Sequence, residues 1–243
     1  MMSWTVRSEE LRDVFPDLET TAMLAGDEVN ANWMSRLVRV CAAGDRYYVK
    51  TYASRGRGLR RWLGRSRVRA EWENQLLFEQ LAVPTAPVVA YGETWMSGKY
   101  RGVIVTRELA GTRDLASLAA EGHACLADWY WRRKVLGQLA DAVRRLHLNG
   151  FVHNDLKWRN ILVASRPDAE IYIIDCPMGR YLPGPLLKRG VVKDLACLDK
   201  VGRQALNRPD RLRFYLAYRQ KRKLARADVR EIDKISHFFD GRE

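Results

Sequence analysis

Long apolar runs are missing from this 243-residue chain, and no stretch approaches the ~20 residues that a membrane-spanning helix requires. The N-terminus, MMSWTVRSEELRDVF, lacks the apolar segment of a secretion signal and meets acidic residues by Glu9 and Glu10, which predicts a cytosolic protein. The cysteines, Cys41, Cys125, Cys176 and Cys197, are scattered with no C-x-x-C pair. That spacing suggests neither a disulfide framework nor a zinc site, and leaves buried, reduced thiols. No internal repeat is present, and no low-complexity tract apart from one Arg-rich segment. No G-x-G-x-x-G run precedes Lys50, where Asn32 to Arg36 stands instead.

Positive charge is abundant. Lys and Arg number 42 against 29 Asp and Glu, a formal net charge of +13. A field of that size concentrates phosphates, nucleic acid or acidic lipid, without choosing among them. With 47% hydrophobic residues the chain can bury one extended core or two small lobes.

The most informative stretch is Phe151 to Val163, FVHNDLKWRNILV, which sets His153, Asp155, Lys157 and Asn160 in H-x-D-L-K-x-x-N order. Downstream, the β-rich run Ile171 to Ile174 ends in Asp175. Phosphoryl transfer needs one carboxylate to orient and deprotonate a hydroxyl and a Lys to neutralise phosphate charge. It also needs an Asn and a second carboxylate to hold Mg²⁺.

Around this stretch the patterning predicts a β-hairpin, Leu37–Cys41 and Tyr47–Tyr52, with Lys50 inside its second strand. On the strand alone, Lys50 reads as a solvated residue as readily as a phosphate ligand. A helix follows, capped by Ser66, with Ala70, Leu77 and Leu81 near one face and Val83-Pro84 ending it. Glu71 on that helix is a candidate partner for Lys50. Val88–Tyr91 and Val103–Thr106 read as two further strands around a Ser97-Gly98 turn. Asp128 is placed to cap a long helix carrying Val135, Leu139, Ala142, Val143 and Leu146 at a 3.6-residue period, released by Gly150. Three helical patterns close the chain: Val192 to Leu206, Arg211 to about Arg222, and Asp228 to Phe239. Ser8 is a candidate cap for a short helix before Pro16, and residues 1 to 30 receive no function.

The joint pattern resembles the protein-kinase-like superfamily, and within it the bacterial lipopolysaccharide core kinases that phosphorylate heptose or Kdo sugars. The resemblance covers roughly residues 37 to 220. It implies an α+β, two-lobed kinase-like fold: an N-lobe over residues 1–107 with a small antiparallel sheet and one long helix, and a mostly helical C-lobe over 108–243. It makes Asp155 the catalytic carboxylate and Lys157 the counter-charge to the transferred phosphoryl. Asn160 and Asp175 would hold Mg²⁺. Lys50 would bind the α- and β-phosphates of ATP, paired with Glu71, while Glu108 and Leu109 would offer backbone groups to adenine. Asp194 resembles the helix Asp that braces the catalytic loop.

Three departures follow from the same comparison. The glycine-rich phosphate cover is absent. Asn154 replaces the Arg of the H-R-D form, which removes docking of a phosphorylated activation loop. Cys176-Pro177 follows Asp175 in place of Phe-Gly. His153 is expected to brace the loop by hydrogen bonds, His147 to be structural, and Trp158 to be core or, alternatively, to line a sugar site.

The expected activity is an ATP- and Mg²⁺-dependent phosphotransfer to a hydroxyl of the lipopolysaccharide inner core. The alternatives are a protein Ser/Thr or other small-molecule kinase, or a silent kinase-like module binding anionic lipid or nucleic acid. Lys188, Arg189 and Lys193 suit an anionic glycolipid or sugar acceptor. The seven arginines of Arg55 to Arg69, with Trp62 and Leu63, suit peripheral contact with the anionic inner face of the inner membrane. Nucleic acid is not favoured as a partner.

Overall fold

The computed structural model describes residues 3–56, 64–164 and 169–241. The chain forms two compact units, one comprising Met1–Leu77 with Ala86–Ala110 and the other Phe78–Thr85 with Gly111–Glu243. The architecture is mixed α and β, as expected, with the large antiparallel sheet confined to the N-terminal unit.

That unit contains strands β1 (Ser3–Val6), β2 (Asp27–Ala31), β3 (Ser35–Ala42), β4 (Asp45–Tyr52), β5 (Val88–Met96) and β6 (Lys99–Arg107). They form one six-stranded sheet in the order β1-β5-β6-β4-β3-β2. Helix α1 (Leu18–Ala22) lies within this unit, and helix α2 (Arg67–Gln80) reaches the C-terminal unit with its last turn.

The period-2 alternation of β4 assigns its side chains. Tyr47 and Val49 join Val38, Val103 and Val105 on one face, where Leu11, Phe15 and Leu18 of the N-terminal segment cover them. Each such fully buried side chain contributes about 1.5–3 kcal/mol relative to exposure. Residues 1 to 30 have no assigned role from sequence; of the described residues, 3–31 close this face of the sheet and supply both β1 and the edge strand β2. Lys50 and Tyr52 alternate with these residues, and Tyr52 packs with Val68 and Trp72 of α2. Gly102 on β6 permits this approach, because a Cβ there would lie 2.3 Å from Val68 Cγ1.

Ser66 caps α2 as predicted, its hydroxyl accepting from the Arg69 N–H at 3.2 Å. The buried face differs from the predicted one: Leu77 and Leu81 are only half-buried, while Val68, Trp72 and Phe78 are buried. Ser8 precedes a single 3-10 turn, Glu9–Leu11, and makes no side-chain cap bond. Asp17 instead caps α1, accepting from Thr20 N–H.

The C-terminal unit contains β7 (Thr112–Asp114), α3 (Leu115–Ala120), α4 (Trp129–Leu148), β8 (Phe151–Val152), β9 (Ile161–Ala164), β10 (Ile171–Ile173), β11 (Arg180–Tyr181), α5 (Gly184–Ala205), α6 (Arg208–Arg219) and α7 (Arg226–Ser236). Asp128 caps α4 through the Tyr130 N–H, and the five apolar residues read from its period are all buried. Gly150, at φ +74°, turns the chain out of α4 directly into β8. Antiparallel pairing of β8 with β11 and of β9 with β10 and β7 then fixes both ends of the loop between β8 and β9.

Candidate active site

The sequence-predicted residues fall into two groups, one in each unit. In the N-terminal unit, Lys50 Nζ lies 3.0 Å from Glu71 Oε1, so the strand Lys does meet the helix Glu. Tyr52, two residues along the same strand, donates its hydroxyl to the other Glu71 oxygen. Its ring centroid lies 5.3 Å from the Lys50 ammonium. The Glu71 side chain is 6% exposed and that of Lys50 20%, so the carboxylate is withdrawn from water while the ammonium keeps an open side. A desolvated carboxylate bonded on both oxygens holds a cation with definite direction.

Glu108 directs its carboxylate to neighbours on the sheet, 2.6 Å from Arg46 and within 3.3 Å of the Tyr48 hydroxyl. Its N–H donates to the Arg46 carbonyl at 2.9 Å. The adenine expectation must therefore draw on the remaining main-chain groups of Glu108 and Leu109.

In the C-terminal unit, the loop between β8 and β9 is organised by a carboxylate from elsewhere. Asp194 of α5 is fully buried and accepts the His153 N–H at 2.7 Å on one oxygen and the Asn154 N–H at 2.8 Å on the other. This is the bracing role the resemblance implies. Asn154 adopts φ +66°, a conformation that Asn tolerates better than most residues, and its side-chain amide donates to the Met178 carbonyl at 3.1 Å. His147 on α4 contacts Asp194 through Nε2 at 3.3 Å and the Tyr218 hydroxyl through Nδ1 at 2.9 Å. Because Asp194 can only accept, His147 carries its proton on Nε2 and accepts from Tyr218. Burial raises the pKa of Tyr218, keeping its hydroxyl protonated as a donor. His147 is thus structural, as expected.

Asp155 emerges from this brace about a quarter exposed, with Lys157 Nζ 2.6 Å from one oxygen and Arg159 Nη2 3.5 Å from the other. Asn160 is buried and donates its side-chain N–H to the Asp155 carbonyl at 2.9 Å, so its Oδ1 is the atom that could ligate a metal. The Ile174 N–H donates to the Asn160 carbonyl at 3.0 Å, setting Asp175 one residue beyond that contact. Asn160 and Asp175 together offer hard oxygen donors, the chemistry Mg²⁺ selects. No cluster of three or more His, Cys, Asp or Glu with metal-holding geometry occurs among the described residues.

One expectation changes and one open alternative closes. His153 does not brace the loop through its ring: neither ring nitrogen makes a hydrogen bond of ordinary geometry among the described residues, and the brace uses its main-chain N–H. Full burial lowers its pKa, against the pull of Asp194, Asp175, Asp155 and the Ile174 main chain, so the ring is neutral. Trp158 is 3% exposed with its indole N–H on the Leu198 carbonyl at 2.9 Å, which makes it core. Cys176 is also fully buried beside the His153 carbonyl.

Sequence reasoning missed Tyr52 and Arg159. Tyr52 was signalled by its i+2 spacing from Lys50, and Arg159 by its place inside the H-x-D-L-K-x-x-N motif. Of the Arg-rich run, residues 57–63, including Trp62 and Leu63, lie outside the described residues.

Residues 24–218 match the model of the lipopolysaccharide kinase (Kdo/WaaP) family. A solved structure described as WaaP in complex with acyl carrier protein superimposes with a TM-score of 0.76 at 24% identity, covering 98% of each chain.

Proposed function

The chain belongs to the lipopolysaccharide kinase (Kdo/WaaP) family and is a kinase of lipopolysaccharide core biosynthesis, and from that premise we propose that it transfers the γ-phosphoryl of ATP to a heptose or Kdo hydroxyl of the inner core. The observation that carries this reading is Asp155, a partly exposed carboxylate on a loop whose backbone is held by one buried aspartate. Asp155 aligns the acceptor hydroxyl and takes its proton. Lys157, now 2.6 Å away, turns to the transferring phosphoryl. Lys50, directed by Glu71, neutralises the α- and β-phosphates. Asn160 and Asp175 would hold Mg²⁺, which would supply positive charge against the phosphates.

Such chemistry is mostly positioning and electrostatics. Asp155→Asn is expected to lower kcat for transfer to core oligosaccharide by about 10²–10⁴-fold, with an unchanged melting temperature. Wild-type turnover in this variant would sink the mechanism. Protein extract offered in parallel as acceptor separates a sugar kinase from a protein kinase, and label appearing only in protein would overturn the acceptor class.

No helix among the described residues is long and apolar enough to cross a membrane. Half-exposed Trp95 lines a groove with Arg55, Lys99 and Arg101. Basic and aromatic groups together suit peripheral contact with an anionic leaflet.

The similar WaaP structure contains acyl carrier protein, and one feature of the present C-terminal unit fits such a partner. A cavity of about 360 Å³ is lined mainly by apolar residues of α4, α5, α6 and α7, among them Leu139, Leu198, Phe214 and Ile235. We read it as the receptor of an acyl chain. Acylated carrier protein should bind in a pull-down with Leu198→Arg weakening capture, whereas equal capture of the unacylated form would refute the pocket's role.

A further inference from the structure

We propose that Arg159 selects the acceptor: it binds an anionic substituent of the incoming sugar and, until one arrives, masks Asp155. The inference rests on the phosphotransfer reading above.

Its basis is the 3-10 turn Trp158–Asn160. With three residues per turn, consecutive side chains point about 120° apart. Trp158 is anchored inward through its indole on Leu198, and Asn160 through its amide on the Asp155 carbonyl. Arg159 between them is therefore rigid at its Cα and directed outward, with a side chain 60% exposed. Its Nη2 reaches to 3.5 Å from Asp155 Oδ2, the oxygen that Lys157 leaves uncovered. Any acceptor that brings a hydroxyl to Asp155 arrives beside this guanidinium.

One carboxylate here carries two cations. When the phosphoryl donor claims Lys157, Arg159 stays on Oδ2. An exposed ion pair at this distance is weak, yet it occupies the oxygen that must accept the hydroxyl proton. Among the described residues, the five N–H donors of this planar fork are served by this single long contact, so the fork is better satisfied by a carboxylate or phosphate that it can grip bidentately. An anionic acceptor draws Arg159 off Asp155 and exposes the base in the same movement. A neutral sugar does neither. Lys188 and Arg189, the basic residues that sequence placed near the acceptor, make no ion pair with Asp155, so they lack this coupling.

The test compares wild type, R159Q and R159K on two acceptors: a Kdo-containing core oligosaccharide and its carboxyl-reduced counterpart. Wild type is expected to favour the anionic acceptor by about 10- to 100-fold in kcat/KM, the range for charge-assisted hydrogen bonds. R159Q should lose that preference while using the neutral sugar up to about fivefold better than wild type, the range of a released surface pair. R159K should retain part of the preference, since an ammonium supplies charge without the fork. Preserved preference in R159Q, or an equal loss on both acceptors, overturns the inference and leaves phosphotransfer standing. Failure of wild type to phosphorylate either acceptor overturns both. Matching melting curves show that the variants fold, and if R159Q does not fold, the R159K ratio decides.

Discussion

Lys50 in the N-terminal unit is positioned by other side chains, the Glu71 carboxylate at 3.0 Å and the Tyr52 ring at 5.3 Å, whereas Asp155 in the C-terminal unit is positioned through main chain. Buried Asp194 holds the two residues before Asp155 by their N–H groups, and Asn160 holds its carbonyl. A side-chain clamp sets charge and leaves the ammonium able to move towards a phosphate. A main-chain brace sets the path of the loop and leaves the carboxylate itself uncommitted to the scaffold. Binding a flexible triphosphate suits the first arrangement. Aligning one proton transfer suits the second, where small misplacements cost large factors in rate.

The sharpest way to break this contrast is Asp194→Ala. Two loop N–H groups and His147 lose a fully buried partner together. Each unsatisfied donor costs about 1–3 kcal/mol, so a loss of about 3–9 kcal/mol is expected for the three. At ~2–4 °C per kcal/mol for a chain of this size, thermal melting should fall by at least roughly 6 °C, with kcat falling alongside. Asp194→Asn, which keeps one acceptor oxygen, should recover part of both. Unchanged melting in the Ala variant would show that the loop is held by something other than this carboxylate.

Glu71→Ala acts on the opposite arrangement and should cost less. Removing one partner of a buried pair costs about 3–5 kcal/mol, but Lys50 is one-fifth exposed and its ammonium can recover water. About 1–3 kcal/mol of stability is the discounted expectation. Function should shift differently too: the KM for ATP is expected to rise about tenfold, for one lost orienting interaction, with a smaller change in kcat. Steady-state kinetics over both substrates checks this. A fall in kcat at unchanged ATP affinity would move Lys50 from the nucleotide clamp to the chemical step.

The sequence was most readable where one physical signal dominated. Helix α4 carried a clean period and a capping Asp, and the β3–β4 hairpin alternated around a Gly-containing turn, so both were recognisable locally. The loop between β8 and β9 stood out because its residue types and spacing are those that phosphoryl transfer demands together. β2 was missed because all five of its residues are exposed, so an edge strand left no alternation to read. The buried face of α2 was misjudged because that helix is buried around much of its circumference, Glu71, Asn74 and Gln75 included, which erases the polar–apolar contrast that a periodicity needs. His153 was read as a hydrogen-bonding ring because its motif position suggested one. Only the fold shows that its backbone does the bracing and that its ring sits against Phe78, 6.1 Å between centroids.

That ring gives the smallest and most selective test. Buried His153 is neutral among three carboxylates, Asp194, Asp175 and Asp155, and burial outweighs their pull to lower its pKa from 6.5. In the unfolded chain the imidazole takes up a proton near 6.5, while the folded ring does so only at lower pH. Between these values the unfolded state binds more protons, so stability is full above 6.5 and declines as pH falls towards the folded pKa, by up to about 1.4 kcal/mol per pH unit. The carboxyls whose pKa values are lowered, Asp17, Glu121 and Asp228, start from 3.8 to 4.5 and release stability only below that range. Melting temperatures at pH 7.5, 6.5 and 5.5 therefore span the histidine range above those carboxyls, and among the four histidines the difference between wild type and a His153 variant isolates this ring. His153→Phe keeps an aromatic ring and the main-chain N–H that Asp194 holds, so it should flatten this acid limb while leaving the loop braced. If the variant keeps the wild-type slope, the ring is not the group that titrates. If it instead loses stability equally at all three pH values, the ring matters to packing rather than to charge.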